Sequence, residues 1–446
     1  MGYGQVSGRR PFEAASKVVH SEIIKNPTVE EFVGGCEFPI APPTSLIRDS
    51  VVKVPTSDSK ITAVIAIDGG YTETAIRDRY PSARVAFLTF GPLFFNIKDL
   101  DEMDATPFLG PEDMARLKNL ERYNLVLPTK LVRPRTAATF SEGARAAIHA
   151  FFKKKDGHLL SALRWLLFRG WHTDAERSSE PWLIPTCPNG CGGPGTTFNF
   201  SGPDERKCPG CGCAVYLTDA LRCYERIDDE FGATAILGFL LTAAEQLVLV
   251  HLIKSIWQMK PSLLREVLFV KDGPLAYFGT AAPLSGPMRE LMAFLGEQGP
   301  APLLNLVGIE KSGPFVEHAL AIEEHLGPGE ALVLTNEYIY SHVVPGNPKL
   351  QKYGFNTYYG GKLIYKGTAN DTYVLTVPTG EYLSNPTLSD FFNAPESLGV
   401  LSRLRCSMYD NALLPVALAN RLVSLADAPS AEILAKFARD RIAQHE

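Results

Sequence analysis

Two stretches of this chain end in the same way, and together they constrain the fold more than any other feature. ITAVIAI (61–67) runs into Asp68-Gly69-Gly70, and EVLFVK (266–271) runs into Asp272-Gly273-Pro274. Runs this short and apolar, rich in β-branched residues, read as strands buried on both faces, and such strands need helices above and below their sheet. Asp and Gly dominate turns, so each Asp-Gly step is read as the end of a strand, with Asp68 and Asp272 at the tips. RVAFLTF (84–90) follows the first run across a polar turn and gives it an adjacent strand.

The remaining segments fit the same class. SEGARAAIHAFFKKK (141–155) and LLSALRWLLFRGW (159–171) have helical spacing with basic polar faces, and Thr234 to Gln258 reads as one long helix. LLNLVGI (303–309) is a strand, and a helix opened by Gly-Pro follows around Phe315 to His325. ALVLTNEYIYSHVV (331–344), TYYGGKLIYKG (357–367) and DTYVLTV (371–377) read as antiparallel strands, with a hairpin turn at Gly360-Gly361. The expectation is an α/β fold with a mixed sheet flanked by helices. Residues 1–60, rich in Pro, Ser and charge, form an arm with a short helix near Pro27 to Phe32. A main domain spans 61–430 with a cysteine-rich insertion over 181–224, and a helix over 431–446 closes the chain.

Composition enters where it limits function. At 446 residues and 45% hydrophobic, the chain has material for a large core without staples. A formal charge of −5 gives no general attraction to nucleic acid, so any such contact must use local basic patches. The N-terminus lacks the apolar stretch of a secretion signal, which makes a cytoplasmic location the default. The greasiest stretch, Ala235 to Ile253, is interrupted by Glu245, Gln246 and His251 and reads as a buried helix, with no membrane association.

Five of the eight cysteines lie between Cys187 and Cys213. Cys187-Pro-Asn-Gly-Cys191 and Cys208-Pro-Gly-Cys211 are two short chelating knuckles, the spacing of a four-cysteine zinc ribbon. Cys213 competes with Cys211 as the fourth ligand. Four thiolates close a tetrahedral site, so the zinc is assigned a structural role.

The acids suggest chemistry of another kind. Hydrolysing a phosphodiester at neutral pH needs an activated water and neutralised phosphate charge, which divalent cations held by carboxylates on rigid elements supply. Asp68 and Asp272 have the right type and placement. Glu245 has apolar neighbours at helical spacing (Leu241, Val248, Leu249, Leu252), so its carboxylate lies on a buried stripe and must bind metal, pair with a cation or take up a proton.

With these residues in this order, the chain resembles the NurA nucleases, which work with a HerA-type hexameric ATPase. The resemblance rests on AVIAIDGGYTET with Asp68, AAEQLVLVHLI with Glu245, LFVKDGPLA with Asp272 and VGIEKS with Lys311, and it covers roughly residues 60 to 425 apart from the insertion. It implies a ribonuclease-H-like core and manganese or magnesium at Asp68, Glu245 and Asp272. It also implies a homodimer docked on a HerA-like ring, acting on DNA ends or single strands in end processing or in defence against invading DNA. In MYDNALLPVALANRL, Pro415 and Ala419 match the family's C-terminal helix, but Asn420 stands where the family has His. An amide can position a phosphate or water but cannot serve as an imidazolium acid. No G-x-x-x-x-G-K-[ST] loop occurs, so ATP-driven work falls to the partner. Lys154, Arg164 and Arg169, beside Trp165 and Trp171, are the candidate DNA contacts. The rival expectation is a catalytically weak, zinc-containing adaptor that binds DNA or the ATPase and keeps the nuclease fold for its shape.

Overall fold

The computed structural model describes residues 23–77, 80–98, 122–172, 181–367, 371–404, 413–423, 433–434 and 436–437. The expected closing helix over 431–446 lies largely outside them. The arm carries α1 (Pro27–Gly34), α2 (Thr44–Ser50) and β1 (Val51–Lys53). Then come β2 (Ala63–Ala75), β3 (Arg84–Asn96), β4 (Tyr123–Lys130), α3 (Phe140–Phe152) and α4 (His158–Leu167). The insertion contributes two small hairpins, β5 (Trp182–Ile184) with β6 (Thr196–Phe198), and β7 (Glu205–Lys207) with β8 (Ala214–Tyr216). After it follow α5 (Leu237–Met259), β9 (Val267–Asp272), α6 (Ser285–Gly296), β10 (Asn305–Glu310), α7 (Pro314–Ile322), β11 (Glu330–Val333) and α8 (Asn336–His342). The last described elements are β12 (Gly361–Lys366), β13 (Thr372–Val377), α9 (Ala394–Leu401) and α10 (Leu414–Val423).

Nine strands form one mixed sheet in the order β1-β11-β12-β13-β10-β9-β2-β3-β4. β2 and β10 run parallel to β9, between them, and the remaining neighbours are antiparallel. Within the stretch β4-β3-β2-β9-β10 only β3 opposes the rest, the strand order of a ribonuclease-H-like core. Alternation divides the sheet into two cores. Ile65, Ile67, Leu88, Phe90 and Phe269 pack beneath α3, α4 and α5, while Val64, Ala66, Leu268, Val270, Val307 and Ile309 are covered by α9 and α10. A smaller cluster of Ile47, Phe315, Leu332, Tyr338 and Ile364 seats α2, α7 and α8 on the far end of the sheet. α5 is long and apolar enough to cross a membrane, yet 72% of its most apolar window is buried inside the protein, as expected of a helix with no polar face. Truncating a fully buried residue there, such as Leu247→Ala, costs about 2–5 kcal/mol.

Three local expectations need correction. Asp68 is not at a strand end: β2 continues to Ala75, because β3 is as long as β2 and pairs with it throughout, with Asp68 opposite Gly91. What stops near Asp68 is the parallel pairing with β9, whose last partners are Ile67 and Lys271. The segment 331–344 is not one strand. β11 ends at Val333, and the Thr335 hydroxyl then caps α8 by accepting a hydrogen bond from the Tyr338 amide at 3.1 Å, a capping signal stronger than the strand propensity of Tyr and Ile. Gly360-Gly361 is not a hairpin turn. Gly361 opens β12 opposite Val377, and Gly360 is needed because a Cβ there would stand 2.4 Å from the Val377 carbonyl oxygen.

Candidate active site

At Asp68 the sheet opens, since β2 loses β9 as a neighbour while keeping β3. Asp272 ends β9 opposite Ile309, and Glu310 ends β10. α5 crosses close above β2 and brings Glu245 to the same place. A Cβ at Gly69 would stand 2.7 Å from Leu241 and 2.9 Å from the Glu245 carboxylate, so glycine there sets how near the helix can lie. A Cβ at Gly308 would come within 2.7 Å of the Gly273 carbonyl, and Gly273 itself makes the turn after Asp272 at φ +81°.

Asp68, Glu245, Asp272 and Glu310, with Lys271, Lys311 and Ser312, bound an open cavity of about 410 Å³. The charges are matched in pairs. Lys271 Nζ lies 3.0 Å from Glu245 Oε2, Lys311 Nζ donates to Asp272 Oδ2 at 2.9 Å, and Lys362 pairs with Glu310. Lys362 is also seated over the rings of Phe315 and Tyr358, and its burial holds its pKa below the ordinary lysine value while Glu310 opposes that shift.

Asp68 is the exception. It is 3% exposed, and its Oδ1 accepts a 2.7 Å hydrogen bond from the Gly69 amide. Its Oδ2 is buried with no hydrogen-bond partner among the described residues. Burial, then the nearby charges of Asp272 and Glu245, push its carboxyl up to about 8, against the opposing pull of Lys311 and the Gly69 amide. Burial likewise raises the pKa of Glu245, and Lys271 limits that rise. A buried carboxylate with a bare oxygen, crowded by two other acids, lacks positive charge. A hard divalent cation with oxygen ligands would supply it, and the donor set fits manganese or magnesium.

Asp68, Glu245, Asp272 and Lys311, picked out from the sequence, therefore meet in one cavity. Asn420 does not border it; its side chain is exposed on α10. Lys271 and Glu310 went unassigned, although both lie inside the quoted motifs LFVKDGPLA and VGIEKS. The readable signal was a lysine in an otherwise apolar strand, on the face that carries Phe269 toward α5.

The cysteines form a second centre. Sγ atoms of Cys187, Cys191, Cys208 and Cys211 all lie within 4.8 Å of one another, so Cys211 belongs to the four-cysteine set. Cys187 and Cys211 are 3.6 Å apart and Cys191 and Cys208 3.7 Å apart. Four sulfurs at about 2.3 Å from a tetrahedral zinc would be separated by about 3.8 Å, so the cluster is the right size for that ion. Amides of Asn189 and Gly193 donate to Cys187 and Cys191 at 3.4 Å each. Cys213 approaches Cys187 at 3.5 Å as a fifth sulfur.

Arginines fasten the insertion to the helices beneath it. Arg145, 2% exposed, forms a bidentate pair with Asp219, with Nε to Oδ1 at 3.0 Å and Nη2 to Oδ2 at 2.6 Å. Arg164 donates to the Asn199 carbonyl at 2.9 Å and pairs with Asp204, and Arg169 grips Glu290 of α6 through two bonds of 2.7 and 2.6 Å. Both candidate DNA-binding arginines thus have internal partners, while Lys154 is exposed. Trp165 and Trp171, 4% and 6% exposed, pack edge to face in the core and offer no free stacking surface, because the apolar side of α4 faces inward. His342 donates from Nδ1 to the Ile40 carbonyl at 2.7 Å, and so ties the arm to α8.

No family model and no curated protein matches this chain. Among solved structures it is similar to the NurA nuclease from Sulfolobus solfataricus, at 9% identity and a TM-score of 0.36, covering 96% of this chain and 98% of that one. It is similar also to NurA bound to dAMP and manganese, at 12% identity and a TM-score of 0.26, covering 94% of this chain and 96% of that one.

Proposed function

We propose that this chain is a divalent-metal-dependent deoxyribonuclease whose catalytic residues are Asp68, Glu245 and Asp272, assisted by Lys311. The observation that carries the reading is the buried Oδ2 of Asp68, without a partner among the described residues, in a cavity shared with three further carboxylates and two lysines. Bound manganese or magnesium would activate a water and offset charge on the phosphate. The protein's own groups do the remaining work. Asp68, Glu245 and Asp272 present oxygen donors from a strand, a helix and a strand end. Lys311, 30% exposed, is placed to draw a phosphodiester toward Asp272. Lys271 pairs with Glu245 inside the core and opposes the rise in its pKa that burial causes. Zinc held by Cys187, Cys191, Cys208 and Cys211 is a structural part of this proposal.

The sequence resemblance extends the reading to a homodimer working with a HerA-like hexameric ATPase in DNA end processing or defence. The adaptor reading is kept as the alternative because Asn420 replaces the family histidine and lies outside the cavity. One assay separates the two. Purified protein, alone and with its ATPase, is given labelled single- and double-stranded DNA with manganese, beside Asp68→Ala and Asp272→Ala. Cleavage by the wild type alone supports the enzyme, and DNA left equally intact by all three supports the adaptor.

A further inference from the structure

A second cavity, of about 400 Å³, adjoins the acid pocket, and Thr242 and Phe278 line both. The chemistry changes sharply across that boundary. The acid pocket is lined by charge, whereas Tyr71, Phe239, Tyr277 and Phe278 dominate the second and, among the described residues, no charged side chain lines it. Tyr71 is 43% exposed and Phe278 37%, more than a core requires of residues this large. Phe278 is braced edge to face by Tyr358 at 5.6 Å, and a Cβ at Gly279 would stand 2.6 Å from the Phe239 ring, so that ring lies directly against the backbone. Tyr277 is 1% exposed, and its hydroxyl is buried without a partner among the described residues.

Building on the proposed nuclease activity, we propose that this groove seats one unpaired nucleobase, whose neighbouring phosphate lies at Asp68 and Asp272. A nucleotide has this same division, a charged phosphate beside a flat apolar base, and the volume is at the lower end for a small-ligand site, about 300–1,000 Å³. The occupant is a single strand, because in a duplex both faces of each base are already stacked. The groove is tolerant of sequence, since among the described residues no Arg, Asn, Gln, Asp or Glu lines it to make a bidentate contact with a base edge, and stacking favours every base.

The test is manganese-supported cleavage of single-stranded oligonucleotides that carry one abasic nucleotide at successive positions. For the wild type, KM rises about tenfold at one position beside the cleaved bond. Phe278→Ala and Tyr71→Ala raise KM about tenfold on intact DNA with kcat within about threefold, and add little on the abasic substrate. Tyr71→Phe restores binding, which separates loss of a stacking face from loss of fold. Cleavage by the wild type with KM indifferent to the abasic nucleotide and to both alanine variants overturns the groove while leaving the nuclease reading standing. The same indifference with an altered sedimentation coefficient for Phe278→Ala also overturns it and makes the face a contact between copies of the chain. No cleavage of any DNA by the wild type overturns the parent reading, and this one with it.

Discussion

The cysteine centre and the acid pocket are opposite solutions to holding an ion. The cysteines come from two knuckles within 25 residues of chain, and their sulfurs are near one another and supported by local amides. The acids come from β2, α5 and β9, with Asp68 and Asp272 204 residues apart in the chain, and meet only because the sheet opens beside Asp68. The thiolates can enclose an ion completely, whereas the carboxylates line an open cavity and leave one oxygen bare. A closed centre stabilises the fold. An open one, short of positive charge, is suited to reaction.

This contrast yields predictions of unequal size. The largest effect is on cleavage: Asp68→Asn and Asp272→Asn each lower the rate by more than about 10²-fold, since even indirect supports of a metal ligand are worth 10–100-fold. Neither substitution should reduce the zinc content. Cys191→Ser or Cys208→Ser should do the reverse, lowering zinc content and thermal stability while residual cleavage at low temperature stays within a few-fold. If the cysteine variants abolish cleavage in folded protein, the two centres are not separate. Next, Lys271→Met leaves Glu245 buried without its cation and costs about 3 kcal/mol of stability, measured by denaturant unfolding.

A smaller effect is on stability against pH. The Asp68 carboxyl titrates near 8 in the folded protein, above its ordinary 3.8 in the unfolded chain. Between these values the folded state holds the extra proton, so metal-free protein loses stability as pH rises from about 4 to 8. Manganese should raise the melting temperature by a margin that grows over the upper part of that range, and Asp68→Asn should flatten both trends. A melting temperature whose manganese response is independent of pH would remove Asp68 from the metal site. The smallest effect expected is from Asn420→Ala, within about threefold in cleavage rate, because the side chain is exposed and outside the cavity.

How much of this was legible in the sequence follows the same contrast. The knuckles could be read directly, because their geometry is local; only the choice between Cys211 and Cys213 needed coordinates. Asp272 could be read as a strand end, since β9 stops where its apolar run stops. The place of Asp68 could not, because the strand continues beyond it through pairing with β3, a partner the local pattern does not reveal. Glu245 was visible as an acid on an apolar helix, but its cation, Lys271, required knowing which strand lies under α5. Glu310 stayed hidden because its neighbour Lys311 was the more noticeable charge. Trp165 and Arg164 misled for a related reason: a basic amphipathic helix looks the same whether its arginine meets a phosphate or, as here, an aspartate of the inserted ribbon.

The most direct test of the central claim is anomalous scattering from manganese-soaked crystals of the full chain, with data collected at the manganese and zinc edges. The account predicts manganese in the cavity bounded by Asp68, Glu245 and Asp272, and zinc among Cys187, Cys191, Cys208 and Cys211. A manganese map with no peak at those acids, in protein that still cleaves DNA, would contradict it.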